Sequence, residues 1–149
     1  MRLPPEVGWV ALLWAVSRSL SSPPAVVPAV MSPPAPPSGP MSLAQLIALA
    51  QSVGFPEPQT AAAIAMAESS GNPFAMHIVV TPGPGALPER SFGLWQINTL
   101  AHPEFDETQL LGAAYNAHAA LLISRSGTDF TPWSTFTSGA YRRFLGASA

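Results

Sequence analysis

Eighteen prolines in 149 residues, ten of them within the first 40, set the strongest limit on what this chain folds into. Proline fixes φ and has no N–H to donate, so it is excluded from helix interiors and central strands. The run from Ser22 to Pro40 is almost wholly Pro, Ala, Val and Ser, and residues 22–40 are expected to form a semi-rigid, extended linker. A packed core is therefore sought in residues 41–149, a length typical of one domain. In residues 1–21 the apolar run from Val7 to Val16 is shorter than the about 20 residues a spanning helix needs, and no stable membrane insertion is expected. The run suits a signal-peptide core, although Arg2 is a thin positive flank and Val27-Pro28-Ala29 a poor cleavage pattern; a structurally unimportant tail is the alternative.

Charge removes several classes of function. Charged residues are 9% of the chain, against roughly 25% in ordinary soluble proteins, and the net charge is −2 with no basic stripe. The attraction to phosphate that dominates nucleic-acid affinity is missing, so no nucleic-acid partner is expected. With no Cys there is no disulfide, thiolate metal site or cysteine nucleophile. His77, His102 and His118 lie in three separate segments without metal-ligand spacing; no metal and no cofactor are expected.

From Ser42 the pattern becomes helical. Ser42 and Gln45 make a capping box, Leu43, Leu46, Ile47 and Leu49 recur at helical spacing, and Gly54 supplies a stop. After Pro56 and Pro58, the Ala-rich stretch Gln59 to Ser70 predicts a second helix, ended by Gly71, Asn72 and Pro73. Met76 to Val80 and Arg90 to Trp95 are β-prone, and the Pro/Gly-rich stretch Thr81 to Pro88 between them predicts a short, irregular hairpin. Asp106 and Gln109 form a further capping pattern. Ala113 to Ser126 predicts a longer helix closed by Gly127, with Ala114, Ala117, Leu121 and Leu122 facing inward, and Ala140 to Leu145 a last short one. Helices around one small β-element describe an α+β domain.

Glu68 is the only carboxylate in its Ala-rich helix, in the last turn. There the negative end of the helix dipole and partial burial both disfavour its ionised form and raise its pKa. A carboxylic acid still protonated near neutral pH is what glycosidic cleavage requires, because the leaving oxygen must receive a proton. Helix position alone also fits an exposed, inert Glu; the neighbouring motifs decide between the two.

Those motifs are Ala67-Glu68-Ser69-Ser70-Gly71-Asn72-Pro73, then Ser91-Phe92-Gly93-Leu94-Trp95-Gln96-Ile97-Asn98, then Ala114-Tyr115-Asn116-Ala117. In that order they resemble the E-S-x-G-N-P, G-L-x-Q-I and A-Y-N signatures of the soluble lytic transglycosylases and their phage-borne relatives. The likeness runs on through Pro132-Trp133-Ser134 to Tyr141.

The resemblance implies a lysozyme-like α+β fold, mostly helical with a β-hairpin beside a catalytic cleft. Glu68 would protonate the bond between N-acetylmuramic acid and N-acetylglucosamine in peptidoglycan, then take a proton from the muramoyl C6 hydroxyl, closing a 1,6-anhydro ring. Substrate contacts are implied for Ser69, Ser91, Phe92, Gly93, Gln96, Tyr115 and Asn116, with Tyr115 bonding near the acid and Asn116 its structural neighbour. Trp95 either fills core, the favoured reading, or lines the cleft; Phe92 is read as cleft wall and Trp133 is open between the two. The second block also resembles the c-type lysozyme stretch D-Y-G-x-x-Q-I-N, with Ser91 where that has its second carboxylate. Glu89, Glu104, Asp106 and Glu107 are alternative sources of such a carboxylate, read as solvated loop charges. A water-using lysozyme, and a non-catalytic wall-binding or virion module, are the competing readings. The protein is expected as a monomer, secreted, wall-associated or carried in a phage virion.

Overall fold

A capping box opens the first helix: Ser42 N–H donates to Gln45 Oε1 at 2.8 Å, and Gln45 N–H to Ser42 Oγ at 3.3 Å. Helix α1 (Leu43–Val53) follows, and Gly54 ends it at φ +99°. The computed structural model describes residues 37–80 and 88–146, so the segment 1–21, nearly all of the linker 22–40 and most of the Thr81–Pro88 stretch lie outside the described residues. Helix α2 (Pro58–Ser69) has proline at its first turn, where no N–H is needed, and Ser70 and Gly71 end it with φ of +54° and +77°. No described helix is long and apolar enough to cross a membrane.

Helix α2 is the central post. Ala61, Ala62, Ala63, Ile64 and Ala65 are all fully buried. A helix buried on every side carries no amphipathic stripe, and its small alanines let neighbours approach closely. Leu46 and Ala50 of α1, Leu94 and Trp95, and Ala117, Ala119 and Ala120 of helix α3 (Ala113–Ile123) share one core cluster with it. Phe55 stacks between Trp95 and Phe130, with ring centroids 5.9 and 6.1 Å away.

The expected hairpin is present and gains a strand. Strand β1 (Met76–Val79) pairs antiparallel with β2 (Glu89–Phe92), which pairs antiparallel with the two-residue β3 (Ile97–Asn98). Trp95, expected in a strand, lies instead in the tight turn between β2 and β3. The register sets His77 against Ser91, Val79 against Glu89, and Ser91 against Asn98. Because opposed residues of an antiparallel pair share a face and successive residues alternate, His77, Glu89, Ser91 and Asn98 share one face, while Phe92 and Ile97 point to the other.

Several corrections concern the C-terminal half. Helix α3 stops at Ile123, and Arg125, Ser126 and Gly127 follow with φ of +51°, +61° and +78°. Of the residues expected inward, Ala117 is fully buried and Leu121 half-buried, but Ala114 and Leu122 face outward, Leu122 being 64% exposed. Ala119 and Ala120 take the core positions instead. The short helix α4 (Ser134–Thr137) was not foreseen, and Ala140–Phe144 forms 3-10 turns.

One buried side chain ties these parts together. Asn116 of α3 accepts from Trp95 N–H at 2.9 Å and donates to the carbonyls of Phe92 at 2.9 Å and Leu110 at 3.0 Å. Asn116→Ala would orphan all three buried groups, each costing about 1–3 kcal/mol. We predict a loss of about 3–5 kcal/mol in denaturant unfolding; a loss below about 1 kcal/mol would show that the turn holds without it.

Candidate active site

Glu68 sits in the last turn of α2, at the end of the buried alanine run, half-buried itself. Its Oε1 accepts a 2.6 Å hydrogen bond from the Thr135 hydroxyl, at the start of α4. Burial is the strongest influence on this carboxyl and pushes its pKa above the ordinary 4.5. The Thr135 hydroxyl and backbone N–H pull it back, and the negative charge of Glu89 adds to the rise. The net result is a carboxylic acid that holds its proton to higher pH than a solvated Glu.

A cleft of about 420 Å³ opens over Glu68, inside the size range of small-molecule sites. The polar face of the sheet lines one wall with His77, Glu89, Ser91 and Asn98, and Gln96 and His102 extend it. Trp133 and Ser134, next to Thr135 in sequence, line the cleft as well. Hydroxyl, amide and carboxyl groups beside an indole offer what a sugar requires, hydrogen-bond partners for its hydroxyls and an apolar surface for its ring. Among the described residues, no three His, Cys, Asp or Glu side chains gather as a metal site would need.

The family model described as Lysozyme like domain matches residues 46–135, well over half the chain. This span includes Glu68, the sheet and Thr135. The chain belongs to the lysozyme-like domain family. Its α+β architecture, helices around a small antiparallel sheet, is that of the family. Its general role is accordingly cleavage of glycan strands, with peptidoglycan as substrate. Comparison with curated proteins and with solved structures returned no match.

In this lysozyme-like domain the motif residues divide between cleft and scaffold. Glu68, Ser91 and Gln96 line the cleft. Gln96 directs its Nε2 to the carbonyls of Gly93 at 2.9 Å and Ala75 at 3.2 Å, which fixes its side chain at the cleft wall. Phe92 does not line the cleft: it alternates with Ser91 and points to the core face, 4% exposed. Gly93, at φ +76°, makes its close approach to the chain itself, since a Cβ there would collide with the Asn116 amide and the Leu110 carbonyl. Asn116 is fully buried with its amide bonded to three backbone groups, leaving it nothing for a sugar. Tyr115 stands away from Glu68, edge-on to Phe105 and beside Met41 and Leu49 in a separate groove. Ser69 donates to the Ala65 carbonyl at 3.0 Å and does not line the cleft.

Trp95 is core, fully buried with its indole N–H on the Ala61 carbonyl at 3.0 Å. Trp133 serves both purposes, nearly buried yet lining the cleft, with its indole N–H on the Trp95 carbonyl at 2.8 Å. Sequence reasoning missed Thr135, His77, Asn98 and His102. For His77 and Asn98 a signal existed, because alternation from Ser91 across a paired strand puts them on its face once the register is known.

The raised pKa has a consequence for stability. Below the ordinary 4.5 the carboxyl is neutral in both the folded and unfolded chain. As pH rises through the raised folded value, the unfolded chain ionises more readily and stability is lost. Glu68→Gln, always neutral, is therefore expected to melt higher than the wild type at neutral pH, the gap closing as pH falls below 4.5. Thermal melts across pH check this; a variant less stable than the wild type at neutral pH would contradict it.

Proposed function

We propose that this lysozyme-like domain is a lytic transglycosylase acting on the β-1,4 bond between N-acetylmuramic acid and N-acetylglucosamine. The observation that carries the reading is Glu68, a carboxyl whose pKa burial raises, at the edge of a sugar-sized cleft. It donates its proton to the glycosidic oxygen, and the bond electrons leave with that oxygen. The carboxylate so formed then accepts the proton of the C6 hydroxyl on the same sugar, whose oxygen closes onto C1. Proximity favours this internal attack over free water. No water is consumed, and the product is a 1,6-anhydromuramoyl end.

Ser91 supports the internal route. A retaining hydrolase needs a nucleophilic carboxylate about 5–5.5 Å from the acid, and an inverting one a base about 6.5–9.5 Å away with room for water. At the cleft wall the chain presents a hydroxyl at this position, nearly buried in β2 and unable to serve as either. The muramoyl acetamido oxygen then bonds C1 as the leaving sugar departs, and the C6 oxygen displaces it from C1 in closing the anhydro ring, which restores the acetamide. Such an enzyme works where the wall is, exported or carried by a phage particle, and acts as a monomer.

Mass spectrometry of peptidoglycan digests tests the reading. Products are expected about 18 mass units lighter than hydrolysed ends, because one water is absent. Glu68→Gln is expected to lower the rate by about 10² to 10⁴ with the fold retained. Reducing ends alone would favour the lysozyme reading, and near-native activity of the variant would refute Glu68 as the acid.

A further inference from the structure

A second groove, of about 630 Å³, runs along α1 and shares no lining residue with the cleft. Helix α1 contributes Gln45, Ala48, Leu49 and Ser52, which recur at helical spacing and so form one face of it. The start of α3 contributes Ala113 and Tyr115. The surface is mostly apolar, and no charged side chain among the described residues lines it. An uncharged groove with an aromatic ring selects for an apolar, uncharged occupant.

The chain itself leads into this groove. Met41 is pinned at the end of α2, where its N–H donates to the Gly71 carbonyl at 2.8 Å and where a Cβ on residue 71 would collide with the Met41 carbonyl. Upstream of Met41 the backbone bends at Ser38 and Gly39, and Pro37, half-buried, lines the same groove as Met41. The residues immediately before the described ones are Pro34, Ala35 and Pro36, which with Pro37 read P-x-x-P. Proline pre-sets the extended polyproline II form, so docking costs such a stretch little further chain entropy, and aromatic-lined grooves accept it in peptide recognition. The lengths agree. Gln45 to Ser52 covers about 10 Å of helix at about 1.5 Å per residue, and the three residues before Pro37 reach about 9 Å at about 3.1 Å each.

We propose that this groove is the docking site of the chain's own Pro34-Ala35-Pro36, which lies against Tyr115 and the α1 face and fastens the end of the proline-rich segment to the lysozyme-like domain. The chain's own segment is the occupant because the described residues already enter the groove at Pro37, and because segment and groove both lack charge. The fastening continues through Met41 to Gly71, just past the helix end that carries Glu68. It is independent of which glycan chemistry the cleft performs.

The chain has no Cys, so one introduced thiol reads whether the groove is filled. Ala48→Cys places it on the groove face of α1, and Gln51→Cys on the same helix outside the groove, both at exposed positions. In full-length protein, alkylation at position 48 is expected to be about 10-fold slower than in the same protein carrying Pro34→Gly and Pro36→Gly, the protection given by a segment docked about nine-tenths of the time. Position 51 should react at one rate with either linker. Equal rates at position 48, or protection there that survives the glycines, would overturn the proposal. Protection that grows with protein concentration would assign the groove to a second copy of the chain and overturn it too. A matching change at position 51 would mean that the glycines loosen α1 as a whole, which also contradicts docking in the groove.

Discussion

Trp95 donates its indole N–H to the Ala61 carbonyl in the middle of α2, and its own carbonyl accepts the indole N–H of Trp133. Two residues beyond Trp133, the Thr135 hydroxyl closes on Glu68 at the end of the same α2. The circuit returns to the helix where it began, so the acid and its partner are positioned by one buried indole. Asn116 fixes the backbone of that indole from a third direction, through Trp95 N–H, Phe92 and Leu110. The indole and amide bonds are buried and the Thr135–Glu68 bond part-buried, and among the described residues no buried side-chain nitrogen or oxygen lacks a partner. Such satisfied networks hold geometry more rigidly than apolar contact alone.

The same circuit explains the electrostatics of the site. The alanine-walled end of α2 removes Glu68 from water, which favours the acid, while Thr135 offers the ionised form a partner. Burial wins, but the hydrogen bond moderates the outcome. A group that gives a proton and takes one back needs this balance, because too high a pKa would weaken the acid and too low a pKa would discharge it before substrate arrives. The wall opposite brings hydroxyl, amide and carboxylate groups from three strands whose register alone sets their order.

Local signals in the sequence were legible where the physics is local. The capping box at Ser42, the glycine stop at Gly54 and the helical alanines before Glu68 each act within a few residues, and the structure reproduces them. Strand β3 was not legible because two residues cannot show alternation, and Leu122 misled because two adjacent leucines fit a helix face in more than one rotation. Thr135 lies 67 residues from Glu68, a separation that no local signal spans. The motif glycine and asparagine, singled out in the sequence as substrate contacts, have scaffold contacts in the structure. Gly93 and Asn116 serve the turn that aims the cleft, since a short string records a constraint on a residue and not whether sugar or backbone imposes it.

All of this depends on a carboxyl whose pKa the fold raises above that of a solvated glutamate. A carbon-13 NMR titration of the Glu68 side-chain carboxyl in the folded protein measures that property without substrate or turnover. The account predicts a midpoint above the ordinary 4.5, with the resonance changing again where the protein unfolds. A midpoint at or below 4.5 would mean that Thr135 outweighs burial, and would contradict Glu68 as the resident acid.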